Sequence, residues 1–108
     1  MSGVPGITLM PQDEATVGNY AYFPIFVGAG YPIRRDTLNE HLREHGIVTR
    51  RYFYPLIAEF PMYRGLPSAS LDRLPVATAL SRSVLCLPIY PDLDLATVDR
   101  ISGLVAAP

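Results

Sequence analysis

The stretch Gly46-Ile47-Val48-Thr49-Arg50-Arg51-Tyr52-Phe53-Tyr54-Pro55-Leu56 organises the chain. From Ile47 to Tyr54 it is rich in β-branched and aromatic residues, which predicts a strand. Alternation then places Arg51, Phe53 and Pro55 on one face and Arg50, Tyr52 and Tyr54 on the other. One face enters the core, and the other looks into a cleft or a partner. Two guanidiniums and two phenols in so short a run can stack on a flat ring and hold a phosphate together, because Arg presents a fork of donors that matches phosphate oxygens. The competing reading is structural, with aromatics in the core and arginines reaching past them to solvent.

Upstream, Asp36–His45 reads as a helix. Asp36 suits its N-cap, Leu38 and Leu42 fall at i and i+4, and Gly46 suits the left-handed position after its end. Tyr20–Val27 reads as a strand in which Pro24 removes an amide donor, which predicts an edge position or a break. Gly28-Ala29-Gly30 opens the loop to Arg35 as turn chemistry, since it lacks the third glycine of a dinucleotide fingerprint. Residues 1–17 have no helical period and are interrupted by Pro5, Gly6 and Pro11, so they form an extended lead-in that pairs briefly near Ile7–Met10.

Downstream, residues 55–72 hold Pro55, Pro61, Gly65 and Pro67 and read as a long loop, of the kind that carries function or lies against a partner. Pro75 fits the first turn of a short helix to Arg82, with Val76, Ala79 and Leu80 inward. Val84–Leu87 is a buried strand ended by Pro88. Asp92 or Asp94 caps a last helix striped by Leu95, Val98, Ile101 and Val105. The order β-α-β-α-β-α predicts an α/β (α+β) sandwich: one domain over residues 1–108, with a small three-stranded sheet and helices largely on one face.

Composition agrees with a folded domain of ordinary size. Of 108 residues, 49% are hydrophobic and 18% charged, which excludes a disordered chain. A net charge of −1 gives no broad pull towards nucleic acid or an anionic membrane. All 9 basic residues are Arg and none is Lys. That also weighs against RNA binding through stacking on Tyr52 and Tyr54. Cys86 is the only cysteine, so no internal disulfide forms and a reducing cytoplasm is the expected compartment. Neither a leader pattern nor an apolar run of spanning length is present.

Two further constellations compete for a chemical role. His41-Leu42-Arg43-Glu44-His45 matches H-x-x-E-H, which sets two imidazoles on one helical face for zinc with Glu44 as base. It lacks a third ligand, and Glu59 is the only downstream Glu. Cys86, in the apolar run Val84-Leu85-Cys86-Leu87, reads as a small buried hydrophobe without an activating neighbour.

Three blocks in register resemble the C-terminal domain of the DegT/StrS family of pyridoxal-phosphate-dependent nucleotide-sugar aminotransferases. They are Gly6-Ile7 with Asn19–Ile25, then Leu42–Leu56, then Leu74–Ala77 through Val84–Pro91. The resemblance covers nearly the whole chain, and its Arg-Arg-Tyr-Phe-Tyr run is similar to members that aminate keto-sugars on a dTDP-type carrier. It implies the small domain of a fold-type I enzyme, a dimer whose sites lie at the subunit interface. Met1 would then fall just after the helix that joins the two domains. Pyridoxal phosphate is implied for the complete enzyme, held on a lysine of the large domain and paired there with an Asp. A chain without Lys cannot form that linkage, so by itself it binds no cofactor and supplies no catalytic residue. The resemblance assigns Arg50 or Arg51 to the substrate's diphosphate and Tyr52 or Tyr54 to its sugar or base. The alternative is a stand-alone module that binds a nucleotide-sugar or docks onto a complete aminotransferase. A cut domain exposes the apolar surface of its missing half. Homo-oligomerisation through the Tyr20–Ile25 edge or the 55–70 loop is then expected, whereas a stand-alone module has a charged, finished surface.

Overall fold

In a computed structural model that describes residues 3–108, the apolar runs become three short strands and three helices. The strands are β1 (Ile7–Leu9), β2 (Phe23–Val27) and β3 (Val84–Leu87), and the helices are α1 (Arg35–Glu44), α2 (Pro75–Ser83) and α3 (Leu95–Ala106). The strands make an antiparallel sheet in the order β1-β2-β3, with Ile7 opposite Val27 and Ile25 opposite Leu85. Ile25 and Val27 of β2 and Leu85 and Leu87 of β3 face Leu38 and Leu42 of α1 and Ile101 and Val105 of α3. This is the α+β layering that the sequence predicts. Ile25, Leu38, Leu42, Leu85 and Val105 are wholly buried, each worth about 1.5–3 kcal/mol relative to exposure.

The third strand is not the one expected. Residues 47–54 form no strand; they touch the sheet through one bridge, in which Arg50 and Cys86 exchange backbone hydrogen bonds of 3.0 and 2.7 Å. Two side chains draw the segment towards α1 instead. Thr49 Oγ1 donates to Asn39 Oδ1 at 2.7 Å, and Arg51 Nη1 donates to Asp36 Oδ1 at 3.0 Å. The chain then turns at Tyr52–Phe53. Ile47 is buried, but Val48 and Phe53 are both exposed, so beyond Ile47 neither alternating face enters the core. The third strand is instead β1, the brief pairing anticipated near Ile7–Met10, and it lies on the opposite edge of the sheet, against β2.

Pro24 also sits differently, because β2 is the central strand. Cys86 spends its own N–H and C=O on Arg50, so its pairing with Pro24 is the kind without hydrogen bonds. The missing amide of Pro24 therefore faces the β1 side, where β1 has already ended at Leu9. A proline is tolerated mid-sheet because its neighbour stops one residue short.

Helix boundaries follow the caps. α1 starts one residue earlier than expected, after Arg34, and Asp36 lies in its first turn instead of capping it. Its end is a Schellman motif: Gly46, at φ +77°, donates to Arg43 O at 3.0 Å, and Ile47 donates to Leu42 O at 2.9 Å. Ile47 and Leu42 are both buried, giving the motif its apolar contact. Asp94, not Asp92, caps α3, accepting from Thr97 N and Thr97 Oγ1 at 2.8 Å each. Ile101 and Val105 are buried as expected, but Leu95 is exposed. Arg100 of α3 donates to His45 O at 2.6 Å, joining α3 to the end of α1. The buried Tyr31 phenol donates to Val105 O at 2.6 Å in the last turn of α3.

In α2 the expected inward face is reversed. Val76, Ala79 and Leu80 are exposed, while Ser81 is buried. Residues 55–72 are not structureless either, since they wind through short 3-10 turns at Ile57–Glu59, Pro67–Ala69 and Leu71–Arg73. Ile57, Met62 and Leu66 stay exposed there. Among the described residues no helix is long and apolar enough to cross a membrane.

Candidate functional site

The Schellman turn at Gly46 sends the chain back beside α1, and the bridge to Cys86 pins it against the outer edge of β3. Residues 48–55 thereby line an open groove of about 540 Å³ with α1 on its flank. Arg43, Arg50 and Arg51 contribute cations to this groove and Tyr52, Phe53 and Tyr54 contribute rings, while no carboxylate lines it. The sequence expectation that Arg50, Arg51, Tyr52 and Tyr54 act together thus has a geometric basis: all four line the same groove. They do so from an irregular turn, not from the face of a strand.

The two adjacent arginines have different partners. Arg51 is paired with Asp36 Oδ1 at 3.0 Å, and its Cζ lies 5.4 Å from the Tyr54 ring centre. Arg50 donates from Nη1 to the Tyr52 phenol at 2.7 Å. Among the described residues it has no carboxylate within ion-pair distance. Its charge therefore remains available to an anion. The Tyr52 ring stacks edge-on against Tyr22 at 5.2 Å between centres and lies 5.2 Å from Phe53. These rings form the wall between the first groove and a second of about 680 Å³. Arg50 and Tyr52 line both, and Arg100, Tyr22 and Tyr90 line the second.

Arg35 is the residue that sequence reasoning missed. It is 4% exposed, and its Nη1 donates to Ser81 O and Val84 O, each at 3.0 Å. A cation here satisfies carbonyls left unpaired at the C-terminal end of α2. Its Nε stands 2.8 Å from Asp36 Oδ1, an ion-pair contact without hydrogen-bond alignment. Its Cζ lies 4.9 Å from the Tyr54 ring centre, and it lines a separate groove together with Tyr54. Nothing in the polar run Arg34-Arg35-Asp36 distinguishes the buried guanidinium from its exposed neighbour.

The other two constellations resolve as packing. His41 and His45 do share a face, with ring centres 4.6 Å apart. The His45 Nδ1–H donates to His41 O at 2.8 Å, closing the last turn of α1. No third His, Cys, Asp or Glu joins them, and no group of three such residues forms among the described residues. The zinc reading therefore lacks its ligand set, and Glu59 Oε2 is occupied in accepting from Leu56 N at 3.0 Å. Cys86 is buried as expected. Burial pushes its thiol pKa up, and the Tyr52 amide directed at the sulfur opposes this less strongly, so the thiolate is disfavoured.

The sequence pattern that defines the DegT/DnrJ/EryC1/StrS aminotransferase family matches residues 1–106. The chain is 49% identical over 105 residues to the dTDP-4-amino-4,6-dideoxy-D-glucose transaminase of Escherichia coli, covering 97% of this chain and 28% of that protein. It is 33% identical to the protein of the same description from Shigella dysenteriae, again over 97% of this chain and 28% of the relative. To the dTDP-4-dehydro-2,3,6-trideoxy-D-glucose 4-aminotransferase of Saccharopolyspora spinosa it is 31% identical, covering 94% of this chain and 24% of the relative. The chain thus spans about a quarter of the length of these relatives. No solved structure gives a significant match.

Proposed function

The chain belongs to the DegT/DnrJ/EryC1/StrS aminotransferase family, and on that footing we propose that it is the C-terminal small domain of a nucleotide-sugar aminotransferase, forming one wall of the sugar-nucleotide pocket. One observation carries the reading: a groove with three arginines and four aromatic rings but no lining carboxylate. A nucleoside diphosphate sugar offers what those groups recognise, a diphosphate for guanidinium forks and flat rings for aromatic stacking. The relatives' names describe dTDP-sugar transaminases, and a dTDP-linked keto-sugar is the substrate class proposed here. Arg50 meets the diphosphate, while Tyr52 and Tyr54 contact the base or sugar. The exposed apolar residues Ile57, which lines the groove, and Met62 and Leu66 in the segment that follows it favour a domain with a covered neighbour surface over a finished stand-alone module.

The residues of this chain do not fit pyridoxal phosphate as a covalent cofactor. Schiff-base attachment needs a lysine amine, and the sequence has none. The domain's contribution is to bind and orient the nucleotide-sugar, and the chemistry belongs to the remainder of the enzyme, which we place in a dimer in the cytoplasm.

Titration of the purified chain with dTDP, followed by NMR shifts of the Tyr52 and Tyr54 rings, tests the reading. Weak saturable binding that fades between low and high salt is expected, as for exposed ionic contacts. Removing one charge-assisted contact costs about 1.5–3 kcal/mol, so Arg50→Ala should weaken binding by roughly tenfold or more. Shifts spread over the whole surface, or an Arg50→Ala variant with unaltered affinity, would overturn it.

A further inference from the structure

Two cations approach the Tyr54 ring, Arg35 at 4.9 Å and Arg51 at 5.4 Å from its centre. Both guanidiniums also converge on a single oxygen, since Asp36 Oδ1 is 2.8 Å from Arg35 Nε and 3.0 Å from Arg51 Nη1. Two like charges so close repel unless an anion and a π-system offset them, and Asp36 and Tyr54 supply these. The four groups therefore hold one another. Only Arg35 is fixed by burial, with its Nη1 bound to the carbonyls of Ser81 and Val84. Arg51, Asp36 and Tyr54 all reach solvent, so core packing does not set their positions.

We infer that Arg35 and Asp36 are positioning residues for the groove: Arg35 anchors one side of Tyr54, Asp36 carries that anchorage to Arg51, and the two cations hold the ring as a fixed wall. Neither residue lines the 540 Å³ groove. They stand behind Tyr54, lining a separate groove with it. The device assigns separate tasks to the adjacent arginines. Arg51, held by the carboxylate it shares with Arg35, shapes the wall, whereas Arg50, free of carboxylate, meets the ligand's anionic group. The identity of that ligand rests on the function proposed above, but the clamp itself does not.

Two readouts keep the two apart. The first uses the 108-residue chain without ligand and follows arginine Nε–H and tyrosine ring signals by NMR. Asp36→Asn should speed guanidinium rotation at Arg51 and shift the Tyr54 ring signals, with the rest of the spectrum dispersed and unchanged. Arg35→Lys keeps the charge but loses the fork, and it should release Tyr54 in the same way. Arg51 and Tyr54 signals that do not respond to Asp36→Asn overturn the clamp. The second readout is KM and kcat for the dTDP-keto-sugar in the complete aminotransferase carrying this domain. Asp36→Asn should raise KM about two- to fivefold, the range expected for exposed cation–π and ion-pair contacts, while kcat moves less. In a Tyr54→Leu background the same change should have almost no further effect on KM. An equal effect in both backgrounds overturns positioning through Tyr54. If Arg50→Ala leaves KM unaltered, the ligand reading falls while the ligand-free NMR result stands.

Discussion

Gly6 and Gly46 have nearly the same backbone angle and opposite surroundings, so replacing each with Ala separates conformational from steric cost. Gly6 sits at φ +78° and Gly46 at φ +77°. A Cβ on Gly46 meets nothing within 4 Å, whereas one on Gly6 falls 2.0 Å from Tyr31 N and 2.4 Å from Gly30 C. Both variants pay the left-handed penalty of about 1–2 kcal/mol, offset slightly by the stiffer unfolded chain. Gly46→Ala should therefore lose about 1 kcal/mol. Gly6→Ala must also push the backbone of β1 away from the Gly28–Tyr31 turn, against the 2.8 Å bond from Gly28 N to Gly6 O. Such forced shifts add about 1–3 kcal/mol. Urea unfolding monitored by tyrosine fluorescence measures both, since the chain has 7 Tyr and no Trp. With a slope of about 1–3 kcal/mol per molar urea, Gly6→Ala should lower the midpoint at least twice as far as Gly46→Ala. Equal midpoints would refute the close approach of β1 to the Gly30–Tyr31 backbone.

Further outcomes follow from single contacts. Tyr31→Phe leaves Val105 O without its 2.6 Å donor and should cost about 1–3 kcal/mol by urea unfolding, the penalty for an unsatisfied buried acceptor; a change within error means water replaces the phenol. The Asp94 carboxyl is held below its ordinary value, chiefly by the Thr97 hydroxyl and then by the Thr97 amide. A depressed folded pKa gives stability that is present above the unfolded value and lost as pH falls through the folded one. Asp94→Asn should keep the cap while flattening that acid-limb dependence, and Asp94→Ala should lose most at neutral pH and least in acid; an unchanged acid limb in both variants would refute the cap's role. The exposed Ile57, Met62 and Leu66 should make the isolated chain associate with rising concentration, which light scattering detects. Ile57→Glu with Met62→Glu should abolish that association, and a wild-type monomer at all concentrations would refute it.

The sequence was most legible where a local rule and the tertiary structure agree. Gly46 ends α1 because glycine tolerates the left-handed position and Ile47 is apolar enough to close the Schellman contact. Val84–Leu87 reads as buried because four apolar residues between a helix and Pro88 have no polar face to offer. Residues 47–54 misled because strand propensity measures fit to a half-buried surface, and here the surface beside them is the polar flank of α1. Thr49 and Arg51 each find a partner there at hydrogen-bond distance, and one bridge to Cys86 is all the sheet retains. The grouping of Arg50, Arg51, Tyr52 and Tyr54 survives this change, since four residues so close in sequence line one groove whether the backbone is straight or turned. The contribution of Arg35 was not legible, because it depends on carbonyls 46 and 49 residues away.

That buried guanidinium also accounts for the reversed faces of α2. A helix that packs against an apolar sheet usually turns its apolar stripe inward, yet Val76 and Leu80 point outward and Ser81 inward. Arg35 approaches from α1 to bind Ser81 O and Val84 O, so the inner face at the end of α2 must admit a cation and leave its carbonyls reachable. Small polar residues there suit this: the Ser81 hydroxyl donates locally to Thr78 O at 3.0 Å and leaves the Ser81 carbonyl to Arg35. Large apolar side chains in the same place would bury a charge among groups unable to pair with it, which costs several kcal/mol. The inward face of α2 and the position of Tyr54 therefore have one cause. A substitution that fills the Ser81 site, such as Ser81→Leu, should displace Arg35 and release the Tyr54 ring together. Tyr54 signals that stay fixed while α2 is visibly repacked would show that the ring is held by Arg51 and Asp36 alone.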